Sequence, residues 1–101
     1  MRPLRRYMRR VVESSPYRKD VKRTGKGIHS KVLEEELPAV IDALANDRTL
    51  EPKYRDHPLH GALNRSRDCH IKPDFVLVYT YLGDNFLRLE RLGTHADIFG
   101  L

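Results

Sequence analysis

The sequence predicts a small α+β fold: a mainly antiparallel sheet with two N-terminal helices packed on one face, in the order β-α-α-β-β-β. Three observations predict it. Residues 75–81 run Phe-Val-Leu-Val-Tyr-Thr-Tyr, β-branched or aromatic almost throughout, which is the chemistry of a strand. Leu33, Leu37, Val40, Ile41 and Leu44 recur at helical spacing and so form one apolar stripe. Ser15-Pro16 places an N-cap before a proline in the first helical turn, where the missing proline N–H costs nothing.

Taken in order, Arg5 to Val12 is short and mixed, and is expected to be a first strand with Val11 and Val12 at its inner end. A basic helix follows from Ser15 through Tyr17, Asp20 and Val21, and Gly25 and Gly27 stop it. Pro38 either kinks one long helix or sits in the first turn of a helix over Leu37 to Asn46. The second fits better, since it leaves Glu34 to Glu36 near a helix N-terminus, where acidic groups are favourable. Asp47 to Asn64 carries Pro52, Pro58 and Gly61 and is expected to be loop. Arg67 to Ile71 is a further strand. The 75–81 run is apolar on both faces and therefore central. Leu82-Gly83-Asp84-Asn85 turns the chain, and Phe86 to Leu92 pairs back.

The 101 residues suit one domain over 1–101, with 1–6 as a basic extension. Hydrophobic residues make up 40% and charged residues 33%, a balance that fits a soluble globular protein. No apolar run approaches the roughly 20 residues that span a membrane, so no membrane role is expected. The basic start Met1-Arg2-Pro3-Leu4-Arg5-Arg6 has no apolar run after it, which argues against a secretory signal. The single cysteine, Cys69, cannot form an internal disulfide and fits a reducing compartment. Residues 1–31 carry 11 Lys/Arg against 2 Asp/Glu, whereas the remainder carries 8 against 12. A basic N-terminal part suggests a polyanionic partner, most often nucleic acid; a solubilising arm is the plainer alternative.

Titratable residues gather in three blocks: Asp56-His57-Pro58-Leu59, Arg67-Asp68-Cys69-His70 with Pro73-Asp74, and Gly93-Thr94-His95-Ala96-Asp97-Ile98-Phe99. On an extended segment Asp68, His70, Lys72 and Asp74 share one face, and Cys69 and Ile71 point to the core. Such a row is either a solvated face or a site. Three chemistries compete for it. Metal binding would use the His57-x-x-His60 spacing with Cys69-His70, but structural zinc sites usually draw on several cysteines, and no metal is expected. Nucleophilic catalysis by Cys69 conflicts with its inward orientation, which suits a small buried hydrophobe. Metal-independent RNA cleavage needs a base for the ribose 2′-OH, an acid for the leaving 5′-oxygen and cations for the phosphorane charge. Histidines, carboxylates and arginines meet that need, because imidazole exchanges protons near neutrality.

The blocks Tyr-Arg-Asp-His-Pro-Leu-x-Gly (54–61), Arg-Asp-Cys-His-Ile-x-Pro-Asp-Phe-x-Leu-x-Tyr (67–79) and Arg-x-Gly-Thr-His-x-Asp-x-Phe (91–99) resemble the YafQ branch of the RelE superfamily. These are ribonuclease toxins of bacterial type II toxin–antitoxin systems. Pro-Tyr-Arg-Lys-Asp-Val-Lys (16–22) extends the resemblance more loosely. It implies a RelE-like fold in the cytoplasm and a ribosome-dependent mRNA endoribonuclease, with no metal or other cofactor. It also implies a cognate antitoxin as partner, mRNA on the ribosome as substrate, rRNA contacts, and operator DNA reached only through the antitoxin complex.

Carried across by motif, the catalytic residues are His57, His70, Asp74 and His95, with Asp68 and Phe99 in or beside the site. His95 and His70 are expected to flank the scissile phosphate as acid and base, in either order. Arg67 and Arg91 are candidates to neutralise phosphate charge, although Arg91 could instead pair with Glu90 or Asp97, and Phe99 could close the core. Where relatives often carry an aromatic residue after the glycine of the first block, this chain has Ala62-Leu63. A ribosome-independent ribonuclease and a non-catalytic nucleic-acid-binding subunit stand as the alternatives.

Overall fold

The structure is a computed structural model that describes residues 8–61 and 65–100. The basic extension 1–6 and Ala62-Leu63 lie outside the described residues. The elements run β1 (Arg10–Glu13), α1 (Ser15–Gly25), α2 (Ser30–Glu35), α3 (Leu37–Ala45), a 3₁₀ turn (Pro52–Tyr54), β2 (His57–Pro58), β3 (Arg67–Lys72), β4 (Phe75–Leu82), β5 (Phe86–Gly93) and α4 (His95–Phe99). Among the described residues the strands form one sheet in the order β1-β5-β4-β3-β2. Its β2–β3, β3–β4 and β4–β5 pairs are antiparallel, and β1 closes the edge parallel to β5. The all-apolar strand β4 is central, as its sequence predicts.

The expected order is therefore right in outline and incomplete in detail. Helix α1 begins where Ser14 accepts from the Tyr17 N–H, with Pro16 in the first turn. Helix α3 starts at Leu37 with Pro38 in its first turn. A separate six-residue helix, α2, precedes it: Glu36 leaves helical geometry (φ −124°), which breaks the helix where Pro38 could not donate to Glu34. The first strand begins at Arg10, later than expected. No described helix is long and apolar enough to cross a membrane.

Alternation along the strands assigns two faces. Cys69, Ile71, Leu77, Tyr79, Leu87, Leu89 and Leu92 turn to the helices and pack with Tyr17, Val32, Leu37, Val40 and Leu44 in the main core. The other face is shared by Asp68, His70, Val76 and Val78. Cross-strand partners point to the same side, so the register makes rows on that face. One row is His57–Asp68–Val78–Arg91, and the next is His70–Val76–Gly93. Row two ends where Thr94 starts α4, capped by reciprocal hydrogen bonds between Thr94 and Asp97. That capping box swings His95 back over the second row.

Beyond Glu13 the chain leaves the edge of β5, which would orphan its next outward N–H. Asp20 of α1 takes that N–H instead, accepting from Leu92 at 2.9 Å. It also accepts from Arg23 at 2.9 Å and from Arg91 at 2.7 Å. One buried carboxylate thus ties α1, the end of β5 and an arginine from the open face.

Candidate active site

Four side chains expected to be catalytic meet on the open face. The ring centroids of His57 and His70 are 5.9 Å apart, and those of His70 and His95 are 5.3 Å apart. Asp74 comes from the two-residue turn between β3 and β4, and its Oδ1 lies 2.6 Å from His95 Nδ1. Asp68 lies between His57 and His70 on the sheet, and Phe99 sits beside His95 with ring centroids 6.0 Å apart.

Each imidazole is anchored at the same nitrogen. His57 Nδ1 is 2.6 Å from the Arg55 carbonyl oxygen, and His70 Nδ1 is 3.2 Å from that of Pro73. A carbonyl oxygen only accepts, so each Nδ1 carries its proton. His95 Nδ1 donates likewise to Asp74, whose carboxyl this ring hydrogen bond holds below the usual carboxylate range. Nε2 is then the nitrogen each ring turns to the site, facing Asp68 in His57 and His70. Arg55 presents its carbonyl from a left-handed conformation (φ 47°), which costs a non-glycine residue roughly 1 kcal/mol.

Asp68 is the electrostatic anomaly of the site. It is 3% exposed, and its Oδ1 is buried with no aligned hydrogen bond. That oxygen stands 3.1 Å from His57 Nε2 and 3.9 Å from His70 Nε2. Burial pushes its carboxyl above the ordinary value, and the three histidines work against that shift. A carboxylate oxygen only accepts, so Asp68 Oδ1 is satisfied only by a proton donor from one of these rings or from a bound molecule.

Two expected residues are placed elsewhere. Arg67 alternates away from Asp68 and donates to Asp56 at 3.2 Å, beside the Tyr79 hydroxyl, which bonds the same carboxylate at 2.5 Å. It is therefore on the opposite side of the sheet from the histidines. Arg91 is on the histidine face, but its guanidinium donates to the Asp20 carboxylate at 2.7 and 3.3 Å and to the Asp97 carbonyl oxygen at 3.4 Å, so of the two expected partners it meets Asp97, through the backbone. Lys72 also leaves the expected Asp68–His70 row. The ladder slips between His70 and Lys72, and Lys72 pairs with Glu36 at 2.7 Å. Lys53, Arg55 and Lys72 instead share with His70 the lining of a cleft of about 280 Å³. Sequence reasoning missed Lys53 and Arg55 because they lie in an irregular loop with no period to place them.

Metal donors also differ from the expected spacing. His60 is exposed and Cys69 faces the core. The ligand atoms of His57, Asp68 and His70 lie within 4.8 Å of one another, so these three could hold an ion.

The family model described as "Bacterial toxin of type II toxin-antitoxin system, YafQ" matches residues 9–100. The chain belongs to the YafQ toxin family. It is 41% identical over 92 residues to the mRNA interferase toxin YafQ of Escherichia coli K12, covering 91% of this chain and 97% of that one. The toxin in the crystal structure of the E. coli DinJ–YafQ complex superposes with a TM-score of 0.79 at 38% identity, over 91% of this chain and 99% of that one. A metal-bound toxin from Helicobacter pylori gives 0.78 at 41% identity, over 91% and 100%. Membership of this YafQ family makes the chain a type II toxin of RelE-like fold, as its three blocks imply.

Proposed function

We propose that this toxin is an endoribonuclease that cleaves mRNA on the ribosome by metal-independent acid–base catalysis. The observation that carries the reading is the convergence of three imidazoles, each anchored at Nδ1, with His57 and His70 turning Nε2 toward the buried Asp68 carboxyl. The name of the E. coli relative, an mRNA interferase, supports the same reaction class.

His95 is the base. Its Nε2 takes the 2′-OH proton, and anionic Asp74 on Nδ1 stabilises the imidazolium that forms. The 2′-oxygen attacks phosphorus, and the bond to the 5′-oxygen breaks. His70 donates a proton to that oxygen and is resupplied through Asp68 and His57. Products are a 2′,3′-cyclic phosphate and a 5′-hydroxyl. Lys53 and Arg55, in the cleft beside His70, offset the phosphorane charge, and Phe99 packs beside a neighbouring base.

The exposed basic face of α1, with Arg18, Lys19 and Lys22, suits rRNA phosphates. The E. coli relative crystallises with DinJ. By analogy this chain pairs in the cytoplasm with a cognate antitoxin, acidic where it covers the basic surface, and meets operator DNA only through that complex.

The test is to induce the protein without its partner in growing bacteria and map new mRNA 5′ ends. Cuts confined to translated regions, in codon register, are expected, and His95→Ala or His70→Ala should remove them without unfolding the protein. Cuts throughout untranslated RNA would instead mark a free ribonuclease. No cuts at all, or wild-type growth arrest from both variants, would leave the binding-subunit reading. Cleavage on purified ribosomes in excess Mg²⁺ should survive a chelator selective for transition metals; its loss would move the chemistry to a metal on His57, Asp68 and His70.

A further inference from the structure

A second cavity, of about 470 Å³, opens on the sheet face that carries the histidine cluster. It begins at Val78, the neighbour of Asp68 in the first cross-strand row. Val78 is 1% exposed and makes an apolar floor; Ile98 of α4 and Pro16 of α1 wall it. At its polar end stands Glu90, which sits at the slip in the β4–β5 ladder. The Glu90 carboxylate is fixed by two donors: the Thr80 hydroxyl at 2.7 Å and Arg88 Nε at 3.0 Å to both oxygens. Thr80 spends its proton on Glu90 and so accepts from the Ser66 hydroxyl at 2.9 Å. This chain of bonds runs in one direction and ends on an acceptor. A carboxylate has about four lone-pair sites, and the three bonds leave acceptor capacity at the cavity.

We propose that this cavity is the base-recognition pocket for a nucleotide next to the scissile phosphate, and that Glu90 selects bases carrying an exocyclic amino group. The proposal rests on the nuclease reading above. Apolar walls fit the faces of a flat ring, as in other base pockets. An acceptor at the edge rewards adenine, cytosine and guanine, each of which offers an N–H₂ group, as carboxylates do with the cytosine amine. Uracil lacks that group: its single N3–H lies between two carbonyl oxygens, so a carboxylate placed for an exocyclic amine meets a carbonyl oxygen instead. Arg88 offsets the charge of Glu90, so the pocket does not repel the RNA. Glu90 makes no contact with the histidines, so it is a specificity residue and not part of the proton relay.

The experiment compares wild type, Glu90→Gln and Thr80→Val on translating ribosomes, using mRNAs that differ only in the bases flanking one cleavage site. Wild type should cut amino-bearing bases about tenfold or more faster than uracil at one flanking position. Glu90→Gln, whose amide both donates and accepts, should shrink that ratio to near one while cleavage of uracil sites persists. Thr80→Val should weaken it partway, and it serves if Glu90→Gln does not fold. Cleavage with no base preference in the wild type, or with the same preference in both variants, overturns this proposal alone. Absence of cleavage by the wild type at every site overturns the nuclease reading and this proposal together.

Discussion

Asp74 Oδ1 receives both polar hydrogens of His95, from the ring Nδ1 at 2.6 Å and from the backbone N–H at 3.2 Å. The second bond fixes the start of α4 and the first fixes the ring, so one exposed carboxylate sets where His95 is and which nitrogen it presents. Asp74→Asn should leave folding intact, because the side chain is at the surface. Its amide can turn to donate to Nδ1, which would put the proton on Nε2 and remove the base. Cleavage should fall about 10²–10³-fold in kcat with KM little changed. Asp74 is held below its ordinary value near 3.8 by the His95 ring hydrogen bond. The anchor is therefore complete above that value and lost only as pH falls through the lower folded one. Wild-type cleavage should show no loss from Asp74 between pH 5 and 8; single-turnover rates across that range check it.

Asp68 carries the opposite sign. Burial raises its carboxyl above 3.8, so the folded state holds a proton that the unfolded state releases. Stability contributed by Asp68 is thus full below the unfolded value and falls as pH rises through the folded one. Asp68→Asn removes that loss. It should melt roughly 2–5 °C above wild type at pH 7 and equal it near pH 3, while cleavage drops at least tenfold. A melting point below wild type at pH 7 would show that the Asp68 carboxylate is a net stabiliser.

These two carboxylates show where the sequence was legible. Cys69 and Ile71 at odd positions are apolar, so Asp68 and His70 had to face the other way, and the structure has them there. The motif grouped Asp74 with His95, and the turn before β4 sets its carboxylate against that ring. The row failed at Lys72, because a one-residue slip in the ladder reverses every side chain beyond it and no residue pattern announces it. Arg67 failed for the same periodicity, which puts it opposite Asp68, and motif proximity concealed that. Helix α4 was missed although Thr94-His-Ala-Asp97 spells a capping box, since five residues show no apolar period. Asp20 lies on a basic helix where one acid looks like a charge balance; only the β1–β5 edge explains it.

Cys69 is fully buried on the core face, and burial pushes its thiol far above the ordinary thiol range. It should react with a thiol reagent only through opening of the sheet. Labelling should be at least 10³-fold slower in native buffer than in denaturant, given ordinary domain stabilities. Rapid labelling of the native protein would mean that β3 opens locally. Cys69→Ala should keep cleavage activity and lose about 1 kcal/mol, as read by chemical denaturation.

Asp20 should be the most sensitive polar position in the fold. Its carboxylate is 2% exposed as a residue and accepts from Leu92 N–H, Arg23 and Arg91. Burial alone would raise its pKa; the hydrogen bonds from Arg91, Leu92 and Arg23 outweigh it and hold the carboxyl below 3.8. Its stabilising effect is therefore present above that value and lost as pH falls through the lower folded one. Asp20→Ala leaves two arginines and an edge N–H without their acceptor, and should cost about 3–5 kcal/mol, a large share of a domain stability near 5–15 kcal/mol. Asp20→Asn keeps one acceptor oxygen and should cost less. The gap between wild type and Asp20→Asn should stay constant from pH 8 to 5 and close below pH 4. Thermal melts across that range measure it. Because Arg91 also walls the base pocket, an Asp20→Asn protein that still folds should cut with altered base preference before it loses the histidine chemistry. Loss of all cleavage with an unchanged melting point would instead place Arg91 on the scissile phosphate.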